Sequence, residues 1–157
     1  MDRLEVLVLM GSASDREVMQ EAAGTLEEFG VSARIETASA HRSPDRVRSL
    51  VAEAERAGCA VLICGAGWAA HLAGAVAALT TRPVIGVPIA SSALNGLDAL
   101  LSTVQMPGGI PVATVALGKG GAKNAALLAV SILALRDKAL ARRLSTYRRK
   151  MAQAFES

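Results

Sequence analysis

Histidine is the side chain best suited to moving a proton near neutral pH, and this chain of 157 residues holds two of them. His41 lies in the run Ser39-Ala40-His41-Arg42-Ser43-Pro44, and His71 in Ala69-Ala70-His71-Leu72. Arg42 adds a forked donor of the kind that matches a phosphate. Upstream, Gly11-Ser12-Ala13-Ser14-Asp15 follows an apolar run and opens a helical pattern. Backbone N–H groups and hydroxyls at such a junction also suit a phosphate. Each feature has a plainer reading. Ser14 or Asp15 caps a helix, Arg42 forms a surface ion pair, His41 is a hydrogen-bonded loop residue, and His71 is a core residue at a helix start. Both histidines falling in loops of this kind favours chemistry.

Other motifs are weaker. Gly65-x-Gly67-x-x-Ala70 formally matches a dinucleotide fingerprint, but no acid follows in Pro83–Val87 to hold a ribose. The segment Gly118-Lys119-Gly120-Gly121-Ala122-Lys123-Asn124 lacks the Gly-Lys-Ser/Thr order of a phosphate-binding P-loop. No Gly-x-Ser-x-Gly elbow is present, which disfavours a serine hydrolase. Asp15, His41 and His71 make a conceivable two-histidine, one-carboxylate metal set, though nothing in their spacing demands it. Cys59 and Cys64 match no zinc or redox spacing and read as core residues.

The elements that must position these loops follow from hydrophobic pattern. Apolar runs at 4–10, 60–64 and 83–87 predict buried strands, the last broken by Pro88. A weaker second strand is expected at 32–38, and a fifth strand at 111–117. Helices are expected between them: one carrying Met19 to Phe29, one opening at Ser43-Pro44 as N-cap and first turn, one at 69–79, one at 94–104 and one at 122–136. Strand and helix alternate five times, so the fold class is α/β. The architecture is a doubly wound five-stranded parallel sheet in three αβα layers, of flavodoxin-like order. In such sheets ligands bind outside the carboxyl ends of the strands, where both histidines fall. An extra C-terminal helix at 138–155 carries Leu140, Leu144, Tyr147, Met151 and Phe155 on one face. That face packs either on its own sheet or on a neighbouring subunit.

Length fits one domain, taken here as 1–157. Hydrophobic residues make up 52% of the chain, a share high enough to suggest burial between subunits. The net charge of +3 is local, because six basic residues stand against two acids from Asp137 onward. A solvated helix face fits this better than nucleic-acid binding. No apolar run reaches the ~20 residues of a membrane span. The start, with Asp2, Arg3 and Glu5, is not signal-like, so a cytoplasmic location is expected.

Taken together and in order, GSASD, SAHRSPDR, GAGWAAHLAG, PVIGVPI, LDALLSTVQMPGGIPVATVALG and GAKNAALLA closely resemble the N5-carboxyaminoimidazole ribonucleotide mutases of bacterial purine synthesis. The likeness covers residues 4–136. It implies conversion of N5-carboxyaminoimidazole ribonucleotide to 4-carboxy-5-aminoimidazole ribonucleotide by decarboxylation and recarboxylation. It also implies a flavodoxin-like fold, a homo-octamer, no metal and no organic cofactor, and allows a transient contact with the ATP-dependent synthetase that makes the carbamate. By position, the resemblance puts the acid/base on His41 and substrate binding on Ser12, Asp15 and Arg42. Ser14, Ser39, Ala40, Ala69, Ala70, His71 and Leu72 then line the same pocket. The small-residue stretch Gly65–Ala70 is expected to exclude water and keep CO2 from escaping. The chain departs from the family in Trp68, where Gly is usual, and in Ala73, where Pro is usual. A related branch carboxylates aminoimidazole ribonucleotide directly with CO2 and carries Arg-Ser-Asn in its third loop, where this chain has Ala-Ala-His-Leu. A non-catalytic FMN-binding module is the remaining alternative, disfavoured by an aromatic content of 3%.

Overall fold

The computed structural model describes residues 4–156. Asp2 and Arg3, part of the start discussed above, lie outside the described residues. Five strands form one sheet: β1 (Val6–Met10), β2 (Ala33–Thr37), β3 (Val61–Gly67), β4 (Val84–Ile89) and β5 (Ala113–Thr114). Their spatial order is β2-β1-β3-β4-β5 and every pairing is parallel. Among the described residues six helices connect and flank them: α1 (Arg16–Glu28), α2 (Pro44–Arg56), α3 (Leu72–Ala77), α4 (Leu97–Val104), α5 (Gly118–Ala134) and α6 (Lys138–Glu156).

The continuous apolar strands are explained by burial on both faces. Successive side chains of a strand point to opposite faces. Val6, Val8 and Met10 of β1 join Val61 and Ile63 of β3 under α1 and α5. Leu7 and Leu9 join Leu62 and Cys64 under α2 and α3. The first of these cores is built from Val, Ile, Leu, Met and Ala, the second from Leu, Val and Ala with the two cysteines. Cys59 and Cys64 are core residues; burial pushes both thiols up, away from reactivity.

Several boundaries differ from the sequence expectation. Strand β4 runs through Pro88 to Ile89 instead of stopping at Val87. Gly86 accepts from the amide of Val115, so residues of that parity face β5. Pro88 shares that parity and lies past Thr114, the last residue of β5, which is opposite Gly86. Its missing N–H therefore removes no ladder bond. The 111–117 strand shrinks to Ala113–Thr114, because it is an edge strand with a proline at its start and one neighbour. Strand β3 extends to Gly67, taking three residues from the loop that follows, and α3 shortens to Leu72–Ala77.

The C-terminal helix α6 divides between the two alternatives. Its first half packs on its own chain: Leu140 is buried, and the Tyr147 ring meets Phe29 edge-on at 5.5 Å between centroids. Arg143 Nη1 donates to the Phe29 carbonyl at 2.9 Å. Its second half leaves Met151 and Phe155 exposed.

Two glycines give opposite expectations. A methyl on Gly86 would collide with Thr103 and Val112 and crowd Ala73. Gly86→Ala is expected to destabilise by about 1–3 kcal/mol in urea unfolding. Gly24, inside α1, has open space around it. Gly24→Ala is expected to stabilise by about 0.5–1 kcal/mol, since alanine costs less backbone entropy in a helix. A destabilised Gly24→Ala or an unaffected Gly86→Ala contradicts this packing.

Candidate active site

Parallel pairing brings the ends of the central strands together. Met10 is opposite both Thr37 and Gly65, so the loops after β1 and β2 leave the sheet at one level, beside the last residues of β3. Between them is a cleft of about 450 Å³.

The loop after β1 turns through a short 3-10 segment, Ala13–Asp15. Ser12 is its cap, and the Ser12 amide donates to Asp15 Oδ2 at 3.0 Å. Ser12 Oγ accepts from the Ser14 amide at 3.4 Å and the Ser14 hydroxyl at 3.0 Å. This reciprocal box differs from the expected cap on Ser14 or Asp15. It has a chemical consequence. The amides of Ser12 and Ser14 are already engaged within the loop, and Arg42 brings a full positive charge to the cleft for an anion.

Arg42 reaches that loop from the other side of the cleft. Its Nη2 donates to the Gly11 carbonyl and its Nε to Ser39 Oγ, both at 3.4 Å. The loop carrying it is pinned at its base. The Ser39 amide donates to Ser43 Oγ at 3.1 Å, and that hydroxyl donates back to the Ser39 carbonyl at 3.2 Å. Ser43 thus occupies the N-cap position of α2, as expected, but its side chain makes no cap bond. It closes the loop under His41 instead.

His41 Nε2 and His71 Nδ1 are 2.8 Å apart, with the rings edge-on at 79°. His71 stands at the N-cap of α3, anchored by buried Leu72. A bond between two imidazole nitrogens needs one to donate and the other to accept, so each ring fixes the tautomer of its partner. Asp15 does not join them: among the described residues no three His, Cys, Asp or Glu side chains stand together as a metal site.

The cleft wall includes Ser12, Ser14, Asp15, Ser39, Ala40, His41, Arg42, Ala69, His71 and Leu72. Ala70 is buried in the core, while Ala69 and His71 on either side of it are exposed. Gly11, Ala66, Gly67, Trp68 and Ser91 line the cleft without having been singled out as binders. Ser91 follows β4 in the loop 90–96, whose small polar composition is its signal. Gly67 is needed there, since a methyl on it would collide with Ser91 Oγ and press on the Ile89 carbonyl. The expected water-tight stretch Gly65–Ala70 is sealed only in part. Ala66 and Ala70 are buried, whereas Trp68 and Ala69 are exposed, as are His41, Arg42 and His71.

A family model described as AIR carboxylase matches residues 5–154. The chain belongs to the AIR carboxylase family. It is 52% identical over 151 residues to the N5-carboxyaminoimidazole ribonucleotide mutase of Brucella melitensis, covering 96% of this chain and 93% of that one. It is 54% identical over 144 residues to the enzyme of the same name from Escherichia coli, covering 92% and 85%. Among solved structures it is similar to Treponema denticola PurE, with a TM-score of 0.87 at 34% identity, covering 96% of this chain and 92% of that one. The family assignment therefore agrees with the five-stranded parallel sheet and the likeness in sequence.

Asp15 is the most buried charged group of the cleft. Burial pushes its carboxyl above the ordinary carboxylate range, against the opposing pull of the Ser12 amide and the Arg42 charge. A raised carboxyl binds its proton more tightly in the folded chain than in the unfolded one. It therefore contributes stability in acid that is lost as pH rises through its folded value. In thermal melts from pH 7 downward, the difference between Asp15→Asn and the native chain is expected to move in favour of the native chain. A shift in favour of the variant contradicts a raised carboxyl.

Proposed function

We propose that this chain is one catalytic domain that converts N5-carboxyaminoimidazole ribonucleotide to 4-carboxy-5-aminoimidazole ribonucleotide, with His41 as the acid/base. The observation that carries this reading is the 2.8 Å contact between His41 and His71 beside the Arg42 guanidinium, in one strand-end cleft. The names of the relatives support the substrate class.

The chemistry follows from the substrate. Its carbamate N–C bond breaks, the electron pair stays on nitrogen, and CO2 is released beside an electron-rich, enamine-like ring. The ring carbon attacks the same CO2, forming the C–C bond. That carbon then loses its proton, and the exocyclic nitrogen gains one, so proton number is conserved. A single imidazole can remove the proton from carbon and deliver one to nitrogen. His71 holds the His41 ring and its tautomer. Arg42 and the Ser12 and Ser14 hydroxyls bind the phosphate, so remote binding energy positions the ring for attack. Ser39, Ala40, Ala69 and Leu72 shape the walls. No step calls for a metal or organic cofactor.

The reading extends to assembly. Leu97, Leu101 and Val104 leave an exposed apolar row on α4, and Leu94 extends it. This supports self-association, with a homo-octamer as the inferred form. No described helix is long and apolar enough to cross a membrane, in keeping with the inferred cytoplasmic location. A transient contact with the synthetase that supplies the labile carbamate fits the same picture.

His41→Asn is the test. The variant is expected to bind the ribonucleotide at near-native affinity and to lose at least about 100-fold in kcat. Native turnover of the carbamate is expected to survive a chelator. Near-native turnover in His41→Asn defeats the acid/base assignment.

A further inference from the structure

Trp68 is the chain's single tryptophan, and it stands on the cleft wall with 65% of its surface exposed. Its backbone has φ of 52°, in the left-handed region. For a bulky side chain that conformation is an outlier that costs free energy. Leaving an indole in water forgoes burial as well. Both costs fall on one residue, at the mouth of the cleft.

The surroundings impose this conformation. On one side, Gly67 is the last residue of β3, paired with Ile89 and packed against Ser91. On the other, Ala70 and Leu72 are buried, and the His71 amide closes a tight turn on the Ala69 carbonyl at 2.8 Å. The chain must turn between two fixed points, and Trp68 takes the turn. The indole is thus presented from a backbone held at both ends, three residues from His71 and across the same cleft from Arg42. A side chain held this way loses little freedom when a ligand arrives.

We infer that Trp68 is a binding platform for the heterocycle of the substrate, contacting the aminoimidazole ring while Arg42 and the first loop hold the phosphate. The inference rests on the proposed function and adds a contact to it. An aromatic face suits a flat, electron-rich five-membered ring, and covering that ring removes both surfaces from water. It also places an apolar group over a cleft that the chain leaves partly open.

Because Trp68 is the only tryptophan, its emission reports directly on contact. The product, 4-carboxy-5-aminoimidazole ribonucleotide, is titrated while emission and heat are followed in parallel, with ribose 5-phosphate as the ringless control. The product is expected to change the emission saturably at the calorimetric Kd, and ribose 5-phosphate to leave it unchanged. Trp68→Gly is expected to weaken product binding and raise KM about tenfold, with a smaller effect on kcat, and Trp68→Phe to restore most of the loss. Trp68→Gly is also expected to melt no lower than the native chain, since glycine accepts the left-handed backbone. Calorimetric binding with flat emission and an unchanged Kd in Trp68→Gly overturns the inference and leaves the proposed function standing. A changed oligomer mass in Trp68→Gly at native affinity also overturns it, assigning the indole to a neighbouring copy. Absence of both binding and turnover in the native chain overturns the proposed function, and this inference with it.

Discussion

Everything in the site depends on register. Met10 is held opposite Thr37 on one side and Gly65 on the other, and Gly67 opposite Ile89. These pairings fix the level at which four loops leave the sheet. A slip of one residue would turn every side chain of a strand to the wrong face. Such a slip would move Val6, Val8 and Leu9, all fully buried, into the core on the opposite face, which is packed for other side chains, so the two cores lock the register. The fidelity of the cleft is thus a property of aliphatic side chains far from it.

On that platform the histidine contact joins two loops separated by 30 positions in the chain. Neither ring is buried, and among the described residues no carboxylate holds either one. Each has the other as its orienting partner, with Ser43 bracing one loop and Leu72 the other. A pair of this kind can pass a proton without a net change of charge in the protein, which suits a reaction whose own proton count does not change. The weakness of the arrangement is its openness. With both imidazoles and Arg42 exposed, the retention of a small neutral molecule depends on what covers the mouth once substrate is bound.

Much of the fold was legible because strands buried on both faces read as unbroken apolar runs, and because Gly30, Gly58 and Pro44 mark helix ends. The limits of legibility have physical causes. Pro88 looked like a strand breaker, and only the parity of the hydrogen bonds shows that its missing donor faces no partner. β5 was overextended because a run of β-prone residues does not reveal that it borders one strand rather than two. At the site, residue types and loops were readable, while side-chain direction was not. Ala70 turns into the core between exposed Ala69 and His71. Ser43 sits where a cap belongs yet bonds backward to Ser39. The loop after β1 turns its Ser12 and Ser14 amides onto its own side-chain oxygens, which no motif discloses. The strain at Trp68 needed the backbone angle as well.

In the proposed reaction one carbon dioxide leaves nitrogen and joins carbon without passing through solvent. It is tested most directly by turning over carbamate labelled with 13C in its carboxyl group, in buffer saturated with unlabelled bicarbonate. The label is expected to remain in the carboxyl of the product at early times. Product carrying the unlabelled carbon from solution would contradict it and point instead to direct carboxylation in the same cleft.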